Sequence, residues 1–144
     1  MKRNLFVAFF ILLAFVCNHT QACTSAVISG KITPDGRPLL WKQRDTDTAQ
    51  NSVMYFSGKR FSFVAIINSN EKNPRDIWIG TNSAGFSIMN TQSYNLEKVK
   101  KGEDRGSDNG RIMKLALEVC ATVEDFKHFL DSIKKPSLIE ANFG

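Results

Sequence analysis

The spacing of apolar residues changes twice along this chain, and each stretch predicts a different kind of structure. Residues 5–16 are an unbroken apolar run without a charged side chain. From residue 24 to about residue 89, short β-prone runs alternate with turn residues, and from residue 111 onward apolar residues recur every three or four positions. The pattern predicts an apolar leader, then strands, then amphipathic helices.

The strand region predicts two hairpins and one further strand. Thr33-Pro34-Asp35-Gly36 carries Pro and Gly where a type I turn favours them, and Asn82-Ser83-Ala84-Gly85 is a second turn signal. The predicted strands are residues 24–28 and 39–42 around the first turn, 61–67, and 77–79 with 86–89 around the second. The first hairpin starts at Cys23 and returns past it.

Two helices are predicted after the strands. The apolar positions of the first, over residues 111–120, are Ile112, Leu115, Ala116 and Val119, and those of the second are Val123, Phe126, Leu130 and Ile133. Thr122, with Asp125 three positions later, is an N-cap signal that separates the helices, and Pro136 ends the second one. Strands followed by helices, without βαβ alternation, predict the α+β class.

Residues 137–144 form another β-like run with no further element after it. We expect a strand whose partner would lie beyond Gly144, so that the sheet begun at Cys23 would keep an unpaired edge and too few layers. This interpretation makes the 144 residues the front part of a larger protein. A small complete domain with a frayed tail is the alternative.

The leader predicts export from the cell. Lys2 and Arg3 precede the apolar run, which at twelve residues is too short to span a hydrocarbon core of ~30 Å, and the small Ala22 suits a cleavage site. Removal of residues 1–22 would make Cys23 the first residue of a periplasmic or secreted protein. Two alternatives are a membrane anchor that stays attached and a lipoprotein acylated at Cys23, although Thr20 stands where a lipobox has an apolar residue.

Composition and charge exclude several classes of protein. The chain is 42% hydrophobic and 23% charged, which is typical of a globular domain, and removing 22 of its 144 residues would leave 122, enough for one domain. Lys2 and Arg3 supply two of the formal charge of +5, so +3 would remain. No basic stripe with interleaved aromatics accompanies that charge, so nucleic-acid binding is not predicted.

The positions of the cysteines and histidines limit which thiols could react and which residues could bind a metal. Cys17 lies in the leader, and Cys120, on the apolar helix face, is expected to be a buried and inert thiol. A bridge between Cys23 and Cys120 would disable the reactive thiol and is not expected. His19 lies in the leader and His128 stands alone among helix residues, so no metal or other cofactor is expected.

An N-terminal Cys23 would carry its thiol and a free α-amino group on one residue. That amine has a pKa near ~7.7 and could serve as the base for the thiol. The first hairpin brings Arg44-Asp45-Thr46-Asp47 back beside it, where Arg44 could hold a carboxylate or the thiolate and Asp47 could hydrogen-bond the amine.

These residues resemble a known family in three places along the chain. Cys23-Thr24-Ser25 is similar to the start of the mature chains of cysteine N-terminal nucleophile (Ntn) hydrolases. The family members concerned are the choloylglycine hydrolase and penicillin V acylase group, with the isopenicillin N acyltransferase relatives. The other two segments are Pro34-Asp35-Gly36-Arg37-Pro38-Leu39-Leu40-Trp41-Lys42-Gln43-Arg44-Asp45-Thr46-Asp47 and Gly80-Thr81-Asn82-Ser83-Ala84-Gly85-Phe86-Ser87-Ile88-Met89-Asn90.

The resemblance implies an αββα sandwich, only partly present here, and hydrolysis of a linear amide bond. The substrate class would be an N-acyl amide such as penicillin V or a conjugated bile acid, and the implied assembly is a homo-oligomer. Acyl transfer to another amine and dipeptide hydrolysis are alternatives within the superfamily. A lipid-anchored binding protein acylated at Cys23 is the alternative outside enzymes, and it alone would imply a membrane partner.

The resemblance also implies roles for particular residues. Cys23 would be nucleophile and base, Arg44 would lie near the thiol, and Asp47 would be the partner of the amine. Asn90 is the preferred oxyanion residue, whereas an ungapped alignment of the Asn82 turn places that position at Gln92. The expected substrate contacts are Asn82, Gln92, Met54 and Phe61. The family is more than twice this length, so this chain lacks a second asparagine and an arginine of that site.

Overall fold

A computed structural model describes residues 23–46, 48–92, 108–133 and 141–144 and shows an α+β fold. The strands and helices, in chain order, are β1 (Thr24–Ile28), β2 (Leu39–Gln43), β3 (Asn51–Phe56), β4 (Phe63–Asn68), β5 (Ile79–Asn82), β6 (Ser87–Gln92), α1 (Asn109–Val119), α2 (Val123–Ser132) and β7 (Ala141–Phe143). This confirms the predicted fold class, both hairpins and both helices.

The strands form two separate antiparallel sheets. β1 and β2 make a two-stranded sheet, and the other five strands make a sheet in the order β3-β4-β5-β6-β7. The expectation that the strand near residue 140 would find its partner beyond Gly144 is wrong. β7 pairs with β6, because β6 is a strand edge that the β5–β6 hairpin leaves open to a later segment.

One strand, β3, was not predicted from the sequence. β3 includes Met54, which was expected to contact substrate. Its Val53 and Tyr55 are exposed, whereas Met54 and Phe56 pack against the core. Because apolar residues occupy both faces, the strand lacks the apolar-to-polar alternation that identifies a half-buried strand.

The core lies between one face of the five-stranded sheet and the helices. β4 shows the division: Phe63, Ala65 and Ile67 are buried, while Val64 on the opposite face is exposed. α1 packs across β5 and β6 at Gly80, where a Cβ atom would lie 2.6 Å from Leu117 Cδ1. The β1–β2 hairpin lies on the other side of the sheet, against β6. The result is three layers: helices, sheet and hairpin.

The boundary between the helices follows the sequence signal. Thr122 Oγ1 accepts a hydrogen bond from the N–H of Asp125, and the Asp125 carboxylate accepts one from the N–H of Thr122. This capping box confirms the predicted N-cap. Cys120 ends α1 in the core and is free and buried, as expected, and burial raises the pKa of its thiol.

Asn82 ties the β5–β6 turn to the end of α1. Its Nδ2 donates to the carbonyl oxygens of Leu117 at 2.9 Å and Cys120 at 2.7 Å. Its Oδ1 accepts from the N–H groups of Ala84 at 3.1 Å and Phe86 at 3.0 Å. These four bonds use the whole capacity of a carboxamide. The side chain is buried, so each bond replaces one to water.

We expect Asn82→Ala to lower the free energy of unfolding by about 3 kcal/mol, because it leaves buried carbonyl and N–H groups without partners. Urea unfolding followed by circular dichroism measures the change. Asn70→Ala, at an exposed turn after β4, is the matched control and should change stability by less than about 0.5 kcal/mol. Equal losses in the two variants would contradict the structural role of Asn82.

Candidate functional site

The candidate site is built on the face of the hairpin that looks toward the five-stranded sheet. β1 and β2 pair with Ser25 opposite Lys42. Because side chains alternate along a strand, Cys23 and Arg44 belong to that same face. Cys23 is partly exposed and free, and its Sγ donates to the carbonyl oxygen of Asp45 over 3.7 Å. The hairpin thus gathers one thiol and two cationic side chains.

Lys42 spans the gap between the two sheets. Its Nζ donates to the carbonyl oxygen of Trp78 at 3.1 Å, to that of Asn90 at 2.5 Å and to Asn90 Oδ1 at 2.9 Å. These three bonds match the three protons of an ammonium group. Burial lowers its pKa to about 8, against a smaller upward effect of the Cys23 thiolate and a further lowering by Arg44.

Arg44 is held in place on three sides. Its guanidinium lies over the Trp78 ring, 4.2 Å from the ring centroid. Nη1 donates to the side-chain oxygens of Asn51 and Asn68, the latter at 2.7 Å, and Nη2 donates to Thr46 Oγ1 at 3.3 Å. Burial lowers its pKa, while the Cys23 thiolate and Glu71 act in the opposite direction. The planar side chain therefore has little freedom to rotate.

Electrostatics link these three residues. The negative charge of a Cys23 thiolate favours the charged forms of both Lys42 and Arg44. The arrangement therefore places two cationic side chains beside a partly exposed sulfur.

Two cavities border the hairpin. One of about 200 Å³ lies between β1 and the β6–β7 pair, and Ser25, Asn90 and Phe143 are among its lining residues. A second cavity, of about 420 Å³, lies nearer the hairpin turn and is lined mainly by apolar side chains of both sheets, including Leu40, Val53 and Ile79. Asn90 therefore lines a cavity beside β1, the strand that follows Cys23.

The structure brings together some of the residues singled out from the sequence. Cys23 and Arg44 share a hairpin face, and Asn90 joins them through Lys42. Asp47 lies outside the described residues. Gln92 pairs with Ala141 through the backbone, but its side chain is outside the described part.

Three expected substrate contacts lie on the other side of the sheet. Asn82 spends all its hydrogen bonds on the turn and α1. Met54 packs against the helix-side core, and the backbone N–H of Phe61 donates to the carbonyl oxygen of Glu118 in α1. The sheet lies between these three residues and the hairpin layer that holds Cys23.

Several site residues were not singled out from the sequence. Lys42, Trp78, Asn51 and Asn68 all contact the site. Of these, only Lys42 had a usable signal: it precedes Arg44 by two positions and therefore shares its strand face. Asn51 and Asn68 belong to β3 and β4, and Trp78 directly precedes β5, so these three residues meet the site only when the two sheets stack.

Neither a metal site nor a membrane span is found in the described part of the chain. No group of three or more His, Cys, Asp or Glu residues in those ranges could hold a metal ion. No helix in the same ranges has the length and apolar content to cross a membrane.

Comparison with known proteins identifies no relative. No family model, no curated protein and no solved structure matches this chain.

The electrostatic coupling predicts opposite effects of two substitutions on Lys42. Cys23→Ser removes the anion that favours the ammonium, so the pKa of Lys42 should fall below about 8. Arg44→Met removes a neighbouring cation, so that pKa should rise. Isotope-edited NMR of the lysine side chains measures both, with Lys42→Arg identifying the signal and the exposed Lys31 as an internal reference outside the site.

The same pKa has a consequence for stability. Between about 8 and the unfolded value of 10.5, the unfolded chain holds a proton on Lys42 that the folded chain has lost. Stability contributed by Lys42 therefore rises with pH across this window.

A Lys42 pKa that stays at one value in wild type, Cys23→Ser and Arg44→Met would contradict the coupling, since Cys23 and Arg44 are the charged groups that act on it.

Proposed function

We propose that this chain is the N-terminal part of an exported cysteine hydrolase that cleaves a linear amide bond of an N-acyl substrate. Removal of residues 1–22 exposes Cys23 as the nucleophile. One observation carries the proposal: Cys23 lies on the same hairpin face as Lys42 and Arg44, and its thiolate favours the charge on both.

The surroundings of Cys23 support nucleophilic chemistry. Its partly exposed thiol is accessible to a substrate, whereas the free thiol of Cys120 is buried in the core. Two cationic side chains share its hairpin face, and one of them, Arg44, packs over the Trp78 ring. A thiol in such a place is reactive, while a buried one is inert.

The proposed reaction is acyl transfer. The α-amine of Cys23 takes the thiol proton, and the thiolate attacks the amide carbonyl to form a C–S bond. The resulting oxyanion accepts hydrogen bonds from the backbone beside Cys23 and from the Asn90 amide. The C–N bond then breaks, and the α-ammonium of Cys23 gives its proton to the departing amine. Water then hydrolyses the acyl-thioester. No redox partner is required.

The layers of the fold support an αββα sandwich for the complete protein. Helices, a five-stranded sheet and a second sheet are three of the four layers that such a sandwich needs. On the outer face of the second sheet, Trp41 and Leu39 are 47% and 51% exposed. A helical layer contributed by further residues would cover these apolar side chains.

We expect Cys23→Ser and Cys23→Ala to lower turnover of the exported protein by at least about 1000-fold, because the nucleophile is lost. Release of the acyl product is measured with penicillin V, a glycine-conjugated bile acid and a dipeptide as separate substrates. The substrate that reacts distinguishes acylase from dipeptidase activity, and added amine acceptors detect acyl transfer.

The matched control is Cys120→Ala, which removes the buried thiol and should leave turnover within about twofold of wild type. Intact mass and N-terminal sequencing of the exported protein add an independent result. A free cysteine at the start supports the nucleophile, whereas added acyl mass on Cys23 supports the lipid-anchored alternative. Unchanged turnover in Cys23→Ala would refute the proposed function.

A further inference from the structure

Asn90 has a carboxamide whose orientation is decided by its neighbours. The oxygen and nitrogen of such a group are similar in size, and hydrogen bonds determine which of them points where. In this structure Oδ1 faces Lys42 Nζ at 2.9 Å. An ammonium group has donors and no acceptor, so Nδ2 cannot replace Oδ1 at that contact.

Lys42 is itself held in place. Its other two hydrogen bonds go to the backbone oxygens of Trp78 and Asn90, which lie on the side of the site that the five-stranded sheet forms. Backbone oxygens do not rotate, so the ammonium cannot follow the carboxamide if that group turns. The orientation with Oδ1 toward Lys42 is therefore the one with all three donors of Lys42 satisfied.

The same contact prepares Nδ2 as a donor. A cation on Oδ1 polarises the amide and strengthens hydrogen bonds donated by its nitrogen. Within the part of the chain that the structure describes, no acceptor is recorded for Nδ2. Asn90 lines the cavity of about 200 Å³ together with Ser25, two residues from Cys23 on the same strand face.

The geometry points to Lys42 as a positioning residue for this site. By accepting no hydrogen bond and donating to Oδ1, it holds the Asn90 carboxamide so that Nδ2 is the donor available to the oxyanion formed at Cys23. This inference rests on the proposed function for the oxyanion, while the orientation of the amide does not depend on catalysis. Lys42 makes no contact with the reacting atoms in this role.

The kinetic test is a double-mutant cycle on the exported protein, with penicillin V as the acyl donor. Asn90→Ala removes an oxyanion donor and should lower kcat about 100-fold, and Lys42→Met should lower it at least about 10-fold with little change in KM. If Lys42 acts through Asn90, the double variant is no more than about twofold slower than Asn90→Ala. A loss equal to the product of the single losses would overturn the inference.

Two further variants guard against a trivial result. Lys42→Arg keeps a charged donor and should retain more kcat than Lys42→Met, because a guanidinium can still donate to Oδ1. Lys31→Met, at an exposed lysine in the turn of the same hairpin, should leave kcat within about twofold. Circular dichroism of each variant verifies that it is folded.

A second measurement does not require activity. NMR of the side-chain amides, with the Asn90 signals assigned by their loss in Asn90→Ala, reports the orientation and exchange of Nδ2 directly. Lys42→Met should shift these signals and accelerate their exchange with water, while Lys31→Met should not. Unchanged Asn90 signals in folded Lys42→Met, or in Lys42→Gln if Lys42→Met does not fold, would overturn the inference.

The two measurements separate the two proposals. An inactive wild type whose Asn90 signals respond to Lys42→Met would remove the proposed function and keep the positioning role. An active wild type with multiplicative kinetic losses and unresponsive Asn90 signals would keep the hydrolase and remove the positioning role.

Discussion

The ammonium of Lys42 is the contact on which the arrangement of this site depends. It leaves the two-stranded sheet and ends among oxygens of Trp78 and Asn90 on the five-stranded sheet. Burying this cation has a cost, seen in its pKa of about 8, and its three hydrogen bonds offset part of that cost. Because Ser25 pairs with Lys42 in the hairpin register, the bonds that place Lys42 on the larger sheet also place β1, and with it Cys23.

On the opposite side of the sheet, a second buried polar group also joins two parts of the fold. Asn82 connects the β5–β6 turn to the carbonyl oxygens at the end of α1. The two polar contacts differ in what they leave available. Asn82 is saturated by the protein, whereas Asn90 receives a cation on its oxygen and, among the residues that the structure describes, has no acceptor for its amide nitrogen. A saturated amide can only stabilise the fold, and an unsaturated one beside a cavity can also bind.

Local signals in the sequence were sufficient for much of the fold. The Pro34 to Gly36 turn, the Asn82 to Gly85 turn and the capping box at Thr122 each act within a few residues, and the hairpins and helices that they predict are present. β3 was missed because both of its faces carry apolar residues. The partner of β7 was misassigned because pairing with β6 joins segments about 50 residues apart, and no local pattern encodes that choice.

In the site, too, contacts within one hairpin could be predicted and contacts between the two sheets could not. Cys23 and Arg44 could be placed together because one hairpin connects them, and its register follows from its turn. The contact between Lys42 and Asn90 spans 48 residues and depends on how the two sheets stack, so the sequence around either residue does not predict it. Asn82 was expected to bind substrate because its hairpin resembles that of the hydrolase family, but its amide donates to carbonyl oxygens at a helix end 35 and 38 residues away.

The charges around Cys23 explain why the proposed reaction would run through to product. Lys42 and Arg44 are like charges on one hairpin face, and each is favoured by the Cys23 thiolate. When the thiolate attacks a carbonyl, its charge moves from the sulfur to the oxyanion, and on collapse to the thioester that charge is neutralised by the proton that the α-ammonium of Cys23 gives to the departing amine. The two cations then lose their shared counterion at moderate dielectric, where such a loss is costly. Hydrolysis of the thioester regenerates the sulfur whose anionic form favours the charge on both cations, so the charges beside Cys23 oppose a stable acyl-enzyme.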